Sequence, residues 1–345
     1  MFSTLVGNER VKGVLRRMLE ARRVPGALLF AGEEGVGKKR FALELAKSLN
    51  CRALAGVEAC GHCPACVRAE EFVFPSSEDK DAHKKIIWSA HPDIGMAISY
   101  KRAILVDAMR DLEREANFRP YEGAARIFLI EEADKLNEPS SNALLKTLEE
   151  PPATSHIILI ASRPAALLPT IRSRCQTVRF SPLSVAEIEQ HLLSVKKISK
   201  EDARLLARVA HGSIGRALGT DPGEYREQRD AMLDVLNALV LTGERASLLR
   251  ASEEITDAKR KDEYEPRLDV LETLIRDVWR LGLGVTLEQV VNADVQPQMK
   301  KIAERVESRR AASWLTEIER HRERLNVNIN RKVATDALFL SMAGS

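Results

Sequence analysis

The chain has 345 residues, 44% apolar and 30% charged, with a net charge of +3. That composition suits a globular protein of two or three domains, and so weak a basic balance permits nucleic-acid contact without arguing for it. No stretch approaches the roughly 18 apolar residues of a spanning helix. "MFSTLVGNERVKG" lacks a signal-peptide core, so a cytoplasmic location away from membranes is expected.

The spacing of Val11, Val14, Leu15, Met18 and Leu19 predicts a helix ending before residue 25. "ALLFAG" reads as a short buried strand, and "KKRFALELAKSLNC" resumes helical spacing through Phe41, Leu45 and Leu49. Between them lies "GEEGVGKKR", in which Gly32, Gly37 and Lys38 fit the phosphate-loop pattern G-x-x-x-x-G-K and Gly35 adds a further glycine. Glycines let backbone N–H groups close around an anion, and Lys38 would reach the outer phosphates. The bland alternative is a plain glycine turn. Lys39 breaks the pattern, because a protonated lysine has no lone pair for the magnesium ion that Ser or Thr would hold there. ATP or ADP therefore remains a candidate ligand, while magnesium and competent hydrolysis are not expected.

Residues 51–92 read as irregular. Cys51, Cys60, Cys63 and Cys66 follow the spacing C-x8-C-x2-C-x2-C, which suits four thiolates around one structural Zn2+. His62 and His83 are weaker substitutes as ligands. The lone Cys175 reads as a small buried hydrophobe. "PSSEDKDAHKK" reads as a solvated loop, and the stretch 72–90 has no assigned role.

"ILVDAMRDLEREANF" predicts a helix, and "ARIFLIEEAD" a strand buried on both faces. Glu131, Glu132 and Asp134 then fall at its carboxyl end. In a phosphate-loop fold Glu131 would stand at the metal position and Glu132 at that of the general base, unless the strand simply runs out into a charged loop. "NEPSSNALLKTLEEPP" predicts a helix capped by Asn137 and stopped before Pro151. "HIILIAS" and "TVRF" read as further strands, so the fold class is α/β with a parallel sheet and helices on both faces. Ser162 follows a strand and is a candidate to orient water or sense phosphate, against a plain strand cap. Arg163, Arg172, Arg174 and Arg179 follow; on periodicity alone they are surface side chains.

After Phe180 no convincing strand occurs. Ser184 and Glu187 fit a capping box, "GSIGRAL" places Arg216 near the start of a short helix, and "GTDPGEYREQRD" marks a possible boundary. Leu268, Leu271, Leu274, Ile275 and Val278 share one helix face, and residues 312–344 read as a long final helix pair. Three domains are expected, over 1–178, 179–240 and 241–345.

"LLFAGEEGVGKKRFALELAKSLNC", "CGHCPAC", "HPD", "RIFLIEEADKLNEPSSNALLKTLEEPP" and "LLPTIRSRCQTVRF", in this order, resemble the clamp-loader subunits of bacterial DNA polymerase III, within the AAA+ superfamily. The resemblance covers nearly the whole chain. It implies a P-loop domain with a zinc module, a small helical lid and a helical collar that joins a ring. It implies that Arg174, in the "SRC" motif, is an arginine finger completing the ATP site of an adjacent subunit. Ser162 falls at the sensor-one position and Arg216 at the sensor-two position. The motor subunits, gamma or tau, carry Ser or Thr after the lysine and an Asp-Glu acidic motif. Lys39 and Glu131-Glu132 depart from both, and the length leaves no room for tau's tail. The resemblance is thus to the delta-prime branch, silent in hydrolysis, working with gamma/tau and delta subunits to place a sliding clamp on primer-template DNA. An active gamma-like ATPase, a free-standing P-loop kinase and a zinc-dependent DNA-binding module are the competing readings.

Overall fold

The computed structural model describes residues 1–286, 289–325 and 330–344. They form two compact units, one of residues 1–196 with 210–218, the other of residues 197–209 with the chain from Gly219 onward. The segment 179–240, expected as a domain of its own, is divided between them.

In the first unit α1 (Glu9–Glu20) leads to β1 (Ala27–Ala31), the glycine loop and α2 (Lys38–Asn50). The insertion that follows holds α3 (Pro64–Arg68), a single 3-10 turn at Ala82–Lys84 and β2 (Ile87–Trp88). Next come β3 (Ile94–Ala97), α4 (Val106–Ala116), β4 (Arg126–Ile130), α5 (Glu138–Glu149) and β5 (Ser155–Ala161). The unit continues through α6 (Pro169–Arg174), β6 (Gln176–Arg179) and α7 (Val185–Val195). Asn137 caps α5 by accepting from the Ser140 N–H, and Ser184 with Glu187 closes a capping box on α7. Both caps are as the sequence predicts.

The sheet runs β2-β3-β4-β5-β1-β6, parallel except for the antiparallel β2–β3 pair at one edge. The continuous apolar runs have a simple cause. Leu29, Phe128, Ile130, Ile157 and Leu159 pack against Met109, Leu112, Leu144 and Leu148 on one face. Their neighbours Leu28, Phe30, Ile127, Leu129, Ile158 and Ile160 pack against Val11, Leu15, Phe41 and Leu45 on the other. Alternate side chains leave opposite faces of a strand, so a strand covered on both sides has no polar position to spare.

The remaining helices are α8 (Lys200–Val209), α9 (Ile214–Gly219), α10 (Pro222–Asn237), α11 (Arg245–Ile255), α12 (Tyr264–Gly282), α13 (Gln296–Ala303), α14 (Ser308–Leu325) and α15 (Arg331–Gly344). Most of α9 belongs to the first unit; the others form the second. There the predicted face of α12, from Leu268 to Val278, is buried with Leu233 and Leu236 of α10, Trp314 and Ile318 of α14, and Phe339 of α15. The stretch 326–329, inside the expected final helix pair, lies outside the described residues. Among the described residues no helix is long and apolar enough to cross a membrane.

Candidate functional site: a phosphate loop with an internal cation, and a four-cysteine cluster

β4, β5 and β1 are neighbours, so their carboxyl ends deliver Glu131, Ser162 and the glycine loop to one place. Ligands in parallel sheets bind at this edge. A cavity of about 1270 Å³ opens there, bordered by Gly35, Gly37, Lys38, Lys39, Glu131, Glu132, Ser162 and Arg216, all within the first unit. It exceeds the roughly 300–1,000 Å³ of an ordinary small-molecule pocket.

Gly35 and Gly37 take φ values of 75° and 98°, a region that favours glycine. Lys38, 5% exposed, donates from Nζ to the carbonyls of Gly32 at 2.6 Å and Glu33 at 2.5 Å, and to Ser162 Oγ at 3.3 Å. Burial lowers its pKa, opposed by the nearby Asp134, Glu34 and Glu33 carboxylates. Asp134 fixes Ser162 in turn, accepting from its N–H at 3.0 Å, and also pairs with Arg163. The sequence reading missed this use of Asp134.

Lys39 neither points away nor stands idle. Its Nζ donates to Glu131 Oε2 at 2.8 Å and lies 5.0 Å from the centre of the Phe74 ring. The two departures from the magnesium pattern therefore meet each other: an ammonium holds the carboxylate expected to hold the metal. Glu132 sits at φ 49° and is engaged by Ser99 Oγ at 2.7 Å and Lys135 Nζ at 2.7 Å.

The segment 210–218 closes on the loop. Gly215 N–H donates to the Gly35 carbonyl at 2.9 Å, and a Cβ on Gly35 would lie 2.1 Å from Ser213 Oγ. Arg216 borders the cavity, its own N–H bonded to Ser213 Oγ at 3.2 Å.

Arg174 ends α6 and is not among the residues that border the cavity. Its Nε donates to Glu149 Oε1 at 2.7 Å and its Nη1 to the Thr170 carbonyl at 3.0 Å. Ile171 and Cys175 on either side are buried. Burial pushes the Cys175 thiol up to about 12, so it packs as an uncharged group, as predicted. Arg172 and Arg179 are exposed.

The sulfurs of Cys51, Cys60, Cys63 and Cys66 lie within 4.8 Å of one another, with Cys51–Cys63 at 3.8 Å and Cys60–Cys66 at 4.0 Å. Four thiolates about 2.3 Å from one zinc ion stand about 3.8 Å apart, so the cluster is able to coordinate a metal. The donor set includes neither His62, which faces the Cys60 carbonyl, nor His83, which faces that of Asp79. Backbone N–H groups of Ala53 and Cys60 point at Cys51 Sγ, and that of Cys63 at Cys60 Sγ. Burial acts to raise the Cys63 thiol, but hydrogen bonds from the Cys66 and Arg52 backbone outweigh it and bring the pKa to about 6. The module is tied down at Glu122, which pairs with Arg68 at 2.6 Å and His91 at 3.1 Å. Asp93, also in "HPD", accepts from the N–H groups of Tyr121, Glu122 and Gly123.

A parallel sheet with a glycine loop, acidic strand end and cysteine module defines an AAA+-like unit followed by a helical region. The family described as "DNA polymerase III, delta subunit" matches residues 7–184, and "DNA polymerase III, delta subunit, C terminal" matches residues 224–342. The chain is 29% identical over 333 residues to DNA polymerase III subunit delta' of Bacillus subtilis, covering 96% of this chain and 95% of that one. It is 30% identical over 327 residues to subunit delta' of Escherichia coli, covering 93% and 90%. Subunit tau of Escherichia coli is 35% identical over 222 residues, but these are 63% of this chain and 32% of tau. A gamma-subunit-related protein of Thermotoga maritima superposes with a TM-score of 0.43 at 16% identity, covering 96% of this chain and 98% of that one, a likeness too distant to add to the sequence match. The chain belongs to the DNA polymerase III delta/delta' family of AAA+ clamp-loader subunits. Its function is that of a delta'-type subunit of a multi-subunit assembly, not of a tau/gamma motor or a kinase.

Proposed function

We propose that this subunit does not hydrolyse ATP itself and instead lends Arg174 to the nucleotide of a neighbouring subunit. Gamma/tau and delta subunits would be its partners, and the assembled ring would place a sliding clamp on primer-template DNA. The observation that carries the reading is the Lys39–Glu131 pair at 2.8 Å. Phosphoryl transfer needs a metal bridging the outer phosphates, and here a fixed ammonium takes up the carboxylate that would hold one. The glycine loop would then hold ATP or ADP without turning it over, with Ser162 and Arg216 beside it.

The four cysteines would hold one structural Zn2+. Four thiolates leave no open position on the metal, so its role is to fold the insertion. Residues 241–345 would serve as the collar, and residues 179–240 as a lid.

The isolated chain should show no magnesium-dependent ATPase. Robust activity, abolished by Lys38→Ala, would overturn the reading. In a loader reconstituted with motor and delta subunits, Arg174→Ala should lower ATPase turnover at least 100-fold with assembly intact, given that such fingers contribute roughly 10³–10⁵.

A further inference from the structure

We infer that Glu149 is the positioning residue for Arg174; this rests on the reading of Arg174 as a finger acting in trans. An arginine has five N–H donors in a rigid fork. The Nε donor goes to Glu149 Oε1 at 2.7 Å, Nη2 pairs with the same oxygen, and Nη1 donates to the Thr170 carbonyl at 3.0 Å. Two N–H groups remain, one on each terminal nitrogen, and no contact among the described residues uses them. The bonds to Glu149 take the side of the fork that carries Nε–H. The bond to Thr170, four residues back along the chain, draws on Nη1. What is left is one donor on each terminal nitrogen, and guanidinium donors of this kind bind phosphate oxygens.

Both ends of this arrangement are anchored in the core. Leu148 precedes Glu149 and is buried in the same cluster as Ile171 and Cys175, so α5 and α6 have a fixed relation. Glu149 is the last residue of α5, where unpaired helix carbonyls disfavour a carboxylate. The neighbouring Arg174 cation offsets that. Glu150, next in the chain, makes no such contact among the described residues. The guanidinium is therefore held in place before a neighbour arrives, and less ordering remains for the moment of phosphoryl transfer.

The test uses the full chain in the reconstituted multi-subunit loader, with ATPase turnover, KM for ATP and assembly by size-exclusion chromatography as readouts. Glu149→Ala should lower kcat roughly 10- to 100-fold, as for a misplaced catalytic group, with KM and assembly unchanged. Glu149→Gln should recover most of that loss, because both bonds go to one oxygen and the amide keeps an oxygen at the same reach. In the Arg174→Ala background Glu149→Ala should change nothing further. Unaltered or raised turnover in Glu149→Ala, or losses that multiply in the double variant, would overturn the positioning role while leaving the finger reading standing. Unaltered turnover in Arg174→Ala alone would remove the finger reading and this inference with it.

Discussion

Lys39 and Glu131 are each about one-third exposed, so their pairing contributes at most about 1 kcal/mol to stability. On the proposed reading its consequence is chemical: a built-in monovalent cation would stand in for a mobile divalent one. Nucleotide affinity of the chain should therefore not rise with added magnesium. The double variant Lys39→Thr with Glu131→Asp should acquire a magnesium-dependent increase, read by titrating a fluorescent nucleotide with and without the ion. Tighter binding of the magnesium complex by the unaltered chain would show that the ammonium does not fill the metal's place. Arg126 is another buried cation with an internal answer. Fully buried at the start of β4, it bonds Glu115 at 3.2 Å and lies over the rings of Trp88 and Tyr121, at 4.7 and 5.2 Å. Aromatic faces stabilise a guanidinium that few hydrogen bonds reach.

Among the elements, the cysteine insertion depends most on something other than apolar burial. Its own core is little more than Ala59, Ala65 and the cysteines themselves. Metal analysis of protein purified without chelator should find one zinc per chain. Stripping the metal, or replacing Cys66 with Ser, should open residues 51–92 to protease while far-UV dichroism keeps most of its signal. Unchanged protease resistance after complete stripping would argue that the module holds itself. What the sequence discloses about elements follows from how local the cause is. "RIFLI" and "HIILIA" are legible because both faces of β4 and β5 are covered. β3 is not, being four residues with Gly95 among them. That glycine is required by packing, since a Cβ would come within 2.4 Å of Ile86. β2 is a two-residue edge strand within the stretch 72–90, which the sequence left without a role. The cysteine spacing and the glycine loop could be read because each lies within a short window. The Lys39–Glu131 bond, between residues 92 apart, could not, and neither could the contact of Gly35 with Ser213 and Gly215.

Across the whole molecule, both units carry neutral histidines. Burial holds the imidazoles of His91 and His156 in the first unit and His321 in the second below their ordinary range. His321 also bonds the Tyr264 hydroxyl at 2.6 Å. Because the folded-state pKa values are lowered, the unfolded chain takes up protons first as pH falls. The histidine contribution to stability should be level above the ordinary imidazole pKa of about 6.5 and decline below it. Urea midpoints at about pH 7.5 and about pH 5.5 would measure this, the lower pH giving the lower midpoint. Equal midpoints would mean that protonation is absorbed by neighbours such as Glu122, which already faces His91.

The closure of Ser213 and Gly215 on Gly35 gives the glycine loop a second reason to exist. A side chain at Gly35 would collide with Ser213, and one at Gly215 would come within 3.2 Å of Gly35 Cα, whether or not any nucleotide were bound. Close contact between two backbones is thus a demand on Gly35 and Gly215 that holds independently of any nucleotide chemistry. Gly32 and Gly35 answer to volume, and on the proposed reading it is the residue just after the motif, Lys39, that answers to catalysis.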